Sequence, residues 1–348
     1  MVEAGSKRDI RKLKQDELKE YFVQLGEKPF RAQQVYEWLW NKSAKNFDQM
    51  TNLSNDLRDL LKEHFVINHI KVDHMQRSAD GTIKNAVTLF DGMVVESVLI
   101  PTEKRITACV SSQVGCSLAC KFCATARLKR QRNLTPDEIY DQVVAIKEQA
   151  ELFFNRPLTN IVFMGMGEPL LNYANVVSAI EKITSQKGLN MASRRITVST
   201  VGVAKMIEKM ADDNVKFNLA VSLHAAIDKT RSSIMPINDT NSLKELGDAL
   251  RYWYDKTGRK VTYEYVVWKG INDNEEHARA LLKFCKIIPS KVNLIEYNPI
   301  DDGEFQQASE QSLNMYMEIL ESQGITTRIR KSRGKDIDAA CGQLANKT

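Results

Sequence analysis

The sequence predicts an α/β protein: an incomplete barrel of about six β/α units, preceded by a helical module and a small antiparallel β linker. Three observations carry this. Apolar residues recur at helical spacing up to about residue 66, then fall in short strand-like runs to about residue 100. From residue 101 onward, β-type runs and helical stretches take turns, the pattern of a parallel sheet with crossover helices. The strand-like runs are too few to close an eight-stranded barrel.

The helical module spans residues 1–66. Leu18, Tyr21, Phe22 and Leu25 stand at i, i+3, i+4 and i+7, with Gly26 placed to end the turn. Ala32, Val35, Tyr36 and Leu39 repeat the pattern, as do Leu57, Leu60, Leu61 and Phe65 behind Ser54, the expected N-cap. The basic residues Arg11, Lys12, Lys14, Lys28, Arg31, Lys42 and Lys45 suit a phosphate backbone about as well as a solvated helix surface. Residues 67–100 hold three β runs, INHIKVDHM, GTIKNAVTLF and MVVESVLIP, divided by Ala-Asp-Gly and Asp-Gly turns. In the barrel region, residues 101–336, strands are predicted near 105–110, 160–164, 195–199, 217–222, 261–266 and 292–296. Its clearest helix opens at Thr135-Pro136-Asp137-Glu138, a capping box with proline at the first helical position. Residues 337–348 form a tail. An open-sided barrel suits a macromolecular substrate, with active groups at the carboxyl ends of strands.

The chain has 348 residues, 43% apolar and 27% charged, enough to bury a large core. A net charge of +5 is only mildly basic, so a polyanionic partner has to be argued from local clusters. No N-terminal run resembles a signal peptide and no stretch approaches ~18 apolar residues, so a cytoplasmic protein without a membrane span is expected. Six cysteines, three of them grouped, do not make a secreted disulfide framework and fit a reducing cytosol.

The group is Cys116, Cys120 and Cys123 in GCSLACKFCAT, spaced Cys-x3-Cys-x2-Cys. A [4Fe–4S] cube takes four thiolates, so three ligands leave one iron open to a small molecule. An open iron beside an electron-rich cluster is what reductive cleavage of S-adenosylmethionine to a carbon radical requires. A structural zinc site wants four Cys or His ligands in paired knuckles, and no second pair stands nearby. In VFMGMGEPLLN, Gly165, Gly167 and Glu168 close the second strand, where backbone can approach a ligand and a carboxylate can meet its amino group. Ser199, Ser222, His224 and Asn298 are polar groups at other strand ends, suited to ribose, carboxylate or adenine contacts, though singly each reads more readily as a turn residue than as a ligand. Cys285 in LLKFCKII reads as an inert buried thiol. Cys341 differs: it lies between small residues and a glycine in RGKDIDAACGQL, a segment mobile enough to bring a thiol into a site as a covalent carrier. Cys109 lies on the first barrel strand.

The chain resembles the RlmN family of dual-specificity RNA adenine methyltransferases, which are radical S-adenosylmethionine enzymes. The resemblance runs from about residue 10 to 344 and rests on KPFRAQQVYEWLW, FDQMTNLSNDLR, VVESVLIP, CVSSQVGCSLACKFCAT, RNLTPDEI, FMGMGEPL, VSTVGV, SLHA, YNPI and RKSRGKDIDAACGQL. It implies a [4Fe–4S] cluster on Cys116, Cys120 and Cys123, and two S-adenosylmethionine molecules per turnover bound by Gly167, Glu168, Ser199, Ser222, Leu223, His224 and Asn298. One of these methylates Cys341. The second yields a 5′-deoxyadenosyl radical, which takes a hydrogen from that S-methyl group, and the methylene radical adds to carbon 2 of adenine. Attack by Cys109 on the thioether sulfur releases product and leaves a Cys109–Cys341 disulfide. Glu96 matches the family's proton acceptor, with Cys109 as the alternative.

The implied partners are an adenosine of 23S rRNA near the peptidyl-transferase centre, the adenosine following the anticodon of certain tRNA molecules, and a reductant such as flavodoxin or ferredoxin; a monomer is expected. Arg127, Lys129, Arg130, Arg132, Arg194, Arg195, Lys331, Arg333 and Lys335 would form a phosphate-binding rim, and the base must be unstacked to be reached. The rival within reach is the Cfr type, which modifies adenine carbon 8; RNL after the cysteine loop and RKSRG before the tail favour RlmN. ARLKRQ after Thr125 holds more charge and fewer glycines than family members often do, which bears on RNA preference.

Overall fold

The computed structural model describes residues 7–300 and 304–346. Strand β1 (Arg8–Asp9) pairs in parallel with β2 (Phe65–Val66) and so ties together the two ends of a module of three helices, α1 (Gln15–Gln24), α2 (Phe30–Trp40) and α3 (Asn55–His64). Helix α1 stops where Gly26 takes φ +74°, and Ser54 caps α3 by accepting the Leu57 N–H at 3.3 Å. Strands β3 (Lys71–Arg77), β4 (Ile83–Thr88) and β5 (Val94–Pro101) form an antiparallel meander, and β5 pairs antiparallel with β6 (Ile106–Cys109). The meander therefore continues the barrel sheet.

Beyond β6, the short strands β7 (Gln113–Val114) and β8 (Arg132–Asn133) pair with each other across the base of the cysteine loop. Then come α4 (Pro136–Phe154), β9 (Asn160–Phe163), α5 (Tyr173–Thr184), β10 (Ile196–Thr200), α6 (Ala204–Asp212) and β11 (Asn218–Ser222). The rest is α7 (Asp228–Ile234), α8 (Leu243–Thr257), β12 (Val261–Val266), α9 (Glu275–Cys285), β13 (Ser290–Ile295), α10 (Glu310–Glu321) and β14 (Thr326–Arg330). Ten strands make one sheet in the order β14-β13-β12-β11-β10-β9-β6-β5-β4-β3, parallel from β6 to β14 and open at both edges among the described residues. The six expected barrel strands are present, and β14 adds a parallel strand that the sequence reading did not anticipate. Its sequence, TTRIR, holds a single strongly apolar residue, Ile329, between two arginines and carries no apolar run.

Helix α4 opens as anticipated: Pro136 is its first residue and the Glu138 carboxylate accepts the Thr135 N–H at 2.9 Å. One apolar core runs from Ile10, Leu18 and Phe22 through the barrel to Tyr316 and Leu320, so the helical module has no core of its own. It docks through Tyr140, which donates to the Trp40 carbonyl at 2.6 Å, and through Arg11. Arg11 is buried and ion-paired with Asp141 at 2.8 Å, Asp137 at 3.5 Å and Asp9 at 3.8 Å. This corrects the expectation that Arg11 faces a phosphate backbone: three carboxylates already occupy its guanidinium.

Burial pushes the Asp9 and Asp141 carboxyls up, and Arg11 opposes the rise. Replacing Arg11 with alanine leaves buried carboxylates without a counter-charge, and urea unfolding at pH 7 is expected to show a loss of roughly 3–5 kcal/mol. Without Arg11 these groups rise further and take up protons in the folded state as the pH falls. The deficit of Arg11→Ala relative to the parent is therefore expected to shrink between pH 7 and pH 5; a deficit that grew would contradict the assignment.

Candidate active site

The cysteine loop leaves the carboxyl end of β6 and returns at β8. At its base Gly115 takes φ +72°, and a Cβ there would lie 2.5 Å from the Lys129 carbonyl oxygen, so only glycine lets the two arms cross. Cys116, Cys120 and Cys123 line one wall of a solvent-connected cavity of about 170 Å³. Burial is the largest influence on each thiol and pushes all three up, so a bound metal's charge is what would make them thiolates. Among the described residues no three His, Cys, Asp or Glu side chains could hold a single metal ion as a group. A four-iron cube spreads its thiolates over separate irons and does not need that tightness.

The other walls come from the carboxyl ends of β9 to β13. Gly165, Gly167, Glu168, Ser199, Ser222, His224 and Asn298 all line the cavity. The glycines are required by the chain itself: a Cβ on Gly165 would meet Ser111 Oγ at 2.7 Å, and one on Gly167, at φ +92°, would meet Gln113 Cβ at 2.5 Å. Each Glu168 oxygen accepts a backbone N–H, from Leu170 and from Val201, both at 3.0 Å. Burial still pushes this carboxyl up to about 7, so a ligand ammonium is the partner that would hold it ionised. The Ser199 and Ser222 hydroxyls lie 3.3 Å apart. His224 takes φ +55° and its Nδ1 accepts the Val266 N–H at 3.2 Å. Burial, aided by Arg231, pulls the ring down to about 3, so it is neutral and Nε2 carries the proton. Asn298 donates from Nδ2 to the Cys341 carbonyl at 3.2 Å, which leaves Oδ1 buried and without a partner. An unpaired acceptor on the cavity wall fits a ligand amine.

Leu223 is the exception. Its side chain is fully buried in the core and does not line the cavity, because strand alternation turns it away from Ser222 and His224. Arg231, which sequence reasoning missed, holds this region together. It is fully buried and donates to the carbonyls of Leu223, at 3.1 Å, and Val201, and to Asn238 Oδ1 at 2.9 Å.

A second cavity, of about 490 Å³, contains Cys109 on its wall. Cys341, Arg330, Glu264, Met164, Ile295 and Leu344 line both cavities. Burial pushes the Cys109 thiol up to about 12, with nearby Cys341 adding to the rise and Arg330 opposing it. Arg330 lies 3.6 Å from Glu264, and both were missed because a charged pair inside a barrel has no local sequence signal.

The tail is not a free segment. Ala124 N–H donates to Gly342 O at 2.7 Å and Thr125 Oγ1 to Leu344 O at 2.6 Å. Upstream, Asp336 accepts from Ser78 Oγ at 2.6 Å and from Ala79 N–H at 3.0 Å. Glu96 is almost fully buried inside the sheet, between β4 and β6, and does not line either cavity. Its carboxylate lies 3.4 Å from buried Lys84 and accepts the N–H groups of Ala345, at 2.8 Å, and Asn346, at 3.0 Å. Cys285 is buried in the core on α9, as expected. The expected phosphate rim is not one ring. Arg132 is taken by Asp91 and Glu138, Lys335 by Glu296, and Arg194 and Arg195 precede β10, at the end of the barrel away from the cysteine loop.

A partial barrel with three thiols on the loop after its first strand defines a radical S-adenosylmethionine protein. Residues 110–282 match the Radical SAM superfamily, and residues 8–67 match the family described as Ribosomal RNA large subunit methyltransferase N-terminal domain. The chain is 67% identical to a probable dual-specificity RNA methyltransferase RlmN of Flavobacterium psychrophilum, with 98% of each chain covered. It is 45% identical to one of Salinibacter ruber, over 97% of this chain and 94% of the relative. The crystal structure of a radical SAM methyltransferase from Sphaerobacter thermophilus superposes with a TM-score of 0.92 at 39% identity, covering 98% of this chain and 100% of the other. The chain belongs to the RlmN family. No helix among the described residues is long and apolar enough to cross a membrane.

Two outcomes test this geometry. Glu168→Gln is expected to weaken S-adenosylmethionine binding by about tenfold or more in equilibrium dialysis while leaving iron content unchanged, since an ammonium then meets a neutral amide. Glu96→Ala is expected to speed hydrogen exchange at the Ala345 and Asn346 amides relative to core amides by at least about tenfold. Glu96→Gln keeps an acceptor oxygen and is expected to retain more of that protection.

Proposed function

We propose that this chain, a radical SAM RNA methyltransferase, methylates carbon 2 of an adenosine in 23S rRNA and of the adenosine following the anticodon in tRNA, passing the methyl group through Cys341. The observation that carries the reading is the position of Cys341 on the wall common to the cavity of the three thiols and the cavity of Cys109. Cys116, Cys120 and Cys123 would hold a [4Fe–4S] cluster, which together with S-adenosylmethionine would supply a methyl group and a carbon radical.

The chain's own residues do the rest. Glu168 receives the ammonium group; Ser199, Ser222 and the Nε2 proton of His224 meet hydroxyl and carboxylate oxygens, and Asn298 Oδ1 meets an amine. The Leu223 main chain sets the turn that presents Ser222 and His224. Cys341 takes the methyl group as a thioether, gives up one of its hydrogen atoms to the carbon radical, and joins that carbon to adenine C2. The adduct then loses the C2 proton and one electron, which balances the electron consumed in generating the radical. Carbon 2 lies between two ring nitrogens and has no lone pair, which closes the polar route. The Cys109 thiolate then attacks the Cys341 sulfur. The sulfur–carbon bond breaks, the departing methylene carbon takes up a proton to become the methyl group, and a disulfide remains for a reductant, of the flavodoxin or ferredoxin kind, to reopen. The C2 proton goes to Glu96 or Cys109; the Glu96 route requires the tail amides to release its carboxylate. In this reading residues 1–66 are an RNA-binding accessory module, 67–100 a linker, 101–336 the catalytic barrel and 337–348 the carrier tail, in a cytoplasmic monomer.

Anaerobic reconstitution with iron, sulfide, S-adenosylmethionine, a reductant and ribosomal RNA, followed by nucleoside mass spectrometry, tests this. The expected product is 2-methyladenosine; 8-methyladenosine would move the reading to the Cfr type, and no 5′-deoxyadenosine at all would overturn it. Cys341→Ala is expected to abolish product, Cys109→Ala to accumulate a covalent protein–RNA adduct, and Cys285→Ala to retain activity.

A further inference from the structure

The second cavity differs in character from the first. Its barrel-side wall is mixed: Thr107, Asn160, Thr197, Thr262 and Asn293 line it from five strands, among apolar groups such as Val162, Met164 and Ile295. Its outer part carries Arg105, Lys291, Arg328, Lys331 and Arg333, and Glu264 is its only carboxylate among the described residues. Glu264 is already faced by Arg330. No carboxylate among the described residues lies within ion-pair distance of Arg105, Lys291 or Arg328, all three of which are exposed. Arg105 stands just before β6, Lys291 near the start of β13, and Arg328 on β14 beside Asn293. These cations therefore gather at the amino ends of the strands and along the open edge, away from the cysteine loop.

We infer that the nucleic-acid substrate reaches Cys341 through this second cavity, with backbone phosphates on Arg105, Lys291 and Arg328, while S-adenosylmethionine occupies the first. The inference rests on the RNA methyltransferase reading and adds the route and the contacts. Three unpaired cations at the mouth of the chamber match a phosphodiester strand. Inside, the threonine and asparagine groups offer donors and acceptors to the edges of an unstacked base, and the apolar groups between them suit its faces. The two chambers share only the strip of wall that holds Cys341, so methyl donor and methyl acceptor arrive on opposite sides of the carrier sulfur. Separate access lets Cys341 be methylated before RNA binds.

The test is the salt dependence of binding of a fluorescein-labelled RNA hairpin that presents a loop adenosine, measured by anisotropy with the reconstituted protein. The variant is R105Q/K291Q/R328Q; the control, K205Q/K256Q/K283Q, removes the same charge from exposed positions on the outer helices α6, α8 and α9. Three lost phosphate contacts reduce the slope of log affinity against log salt by about 2, so between 50 and 200 mM salt the parent is expected to lose about twenty-fold more affinity than the variant. The control is expected to keep the parental slope. A cavity variant with the parental slope, or a control that falls equally, would overturn the route. Parent protein that neither binds nor methylates the hairpin would instead remove the RNA methyltransferase reading itself.

Discussion

The site depends on a strap of C-terminal chain gripped on both sides of Cys341. Upstream, Asp336 is bonded to the β3–β4 turn; downstream, Gly342 and Leu344 are bonded to the cysteine loop, and the Ala345 and Asn346 amides to Glu96. A thiol on a free terminus would sample many positions, and ordering it at the moment of reaction would cost conformational entropy. Here the entropy has already been lost on folding. Glu96 matters because a buried carboxylate facing Lys84 makes stronger bonds to backbone amides than a neutral acceptor would. The bonds from Ala124 and Thr125 to Gly342 and Leu344 tie the segment of Cys341 to the loop that bears Cys116, Cys120 and Cys123.

Electrostatics divide the interior. Around Cys116, Cys120 and Cys123 burial disfavours free thiolates, and Glu168 is held near neutrality until a cation reaches it. His224 is kept neutral, a fixed donor rather than a titrating group. Arg231 fixes two strand-end loops from below by bonding their carbonyls, so Glu168 and His224 are held by backbone that cannot drift independently. On the far side the charge is positive, with Arg330 at the boundary between the chambers. A single fold thus offers a chamber suited to an ammonium-bearing small molecule and another suited to a polyanion.

Much of this was legible in the sequence, for identifiable reasons. Strands β6 and β9 to β13 carry enough β-branched and apolar residues to declare themselves, and the polar residues at their carboxyl ends fell on the cavity wall as expected. Strand β14 did not declare itself, because Arg328 and Arg330 flank its one strongly apolar residue, Ile329, and leave no apolar run. Leu223 was drawn into the site by its neighbours, and strand alternation put it in the core. Arg11 counted as a surface charge until three carboxylates, two of them more than a hundred residues away, proved to surround it. Charged groups satisfied by distant partners leave no periodicity, which is why Arg11, Arg231, Glu264 and Arg330 emerge only from the fold. The tail's sequence suggested mobility because it is small and glycine-containing; its restraint comes from hydrogen bonds to partners far away in the chain, such as Ser78, Glu96 and Thr125, which no local pattern encodes.

The central claim is that the transferred carbon passes through Cys341 as a thioether that gives up one hydrogen. Mass spectrometry of the product nucleoside and of 5′-deoxyadenosine, after reaction with S-adenosylmethionine carrying a fully deuterated methyl group, addresses this directly. The account predicts a methylated adenosine that keeps two of the three deuterium atoms, with the third in 5′-deoxyadenosine. A product that retained all three would mean direct transfer from the donor, and would contradict it.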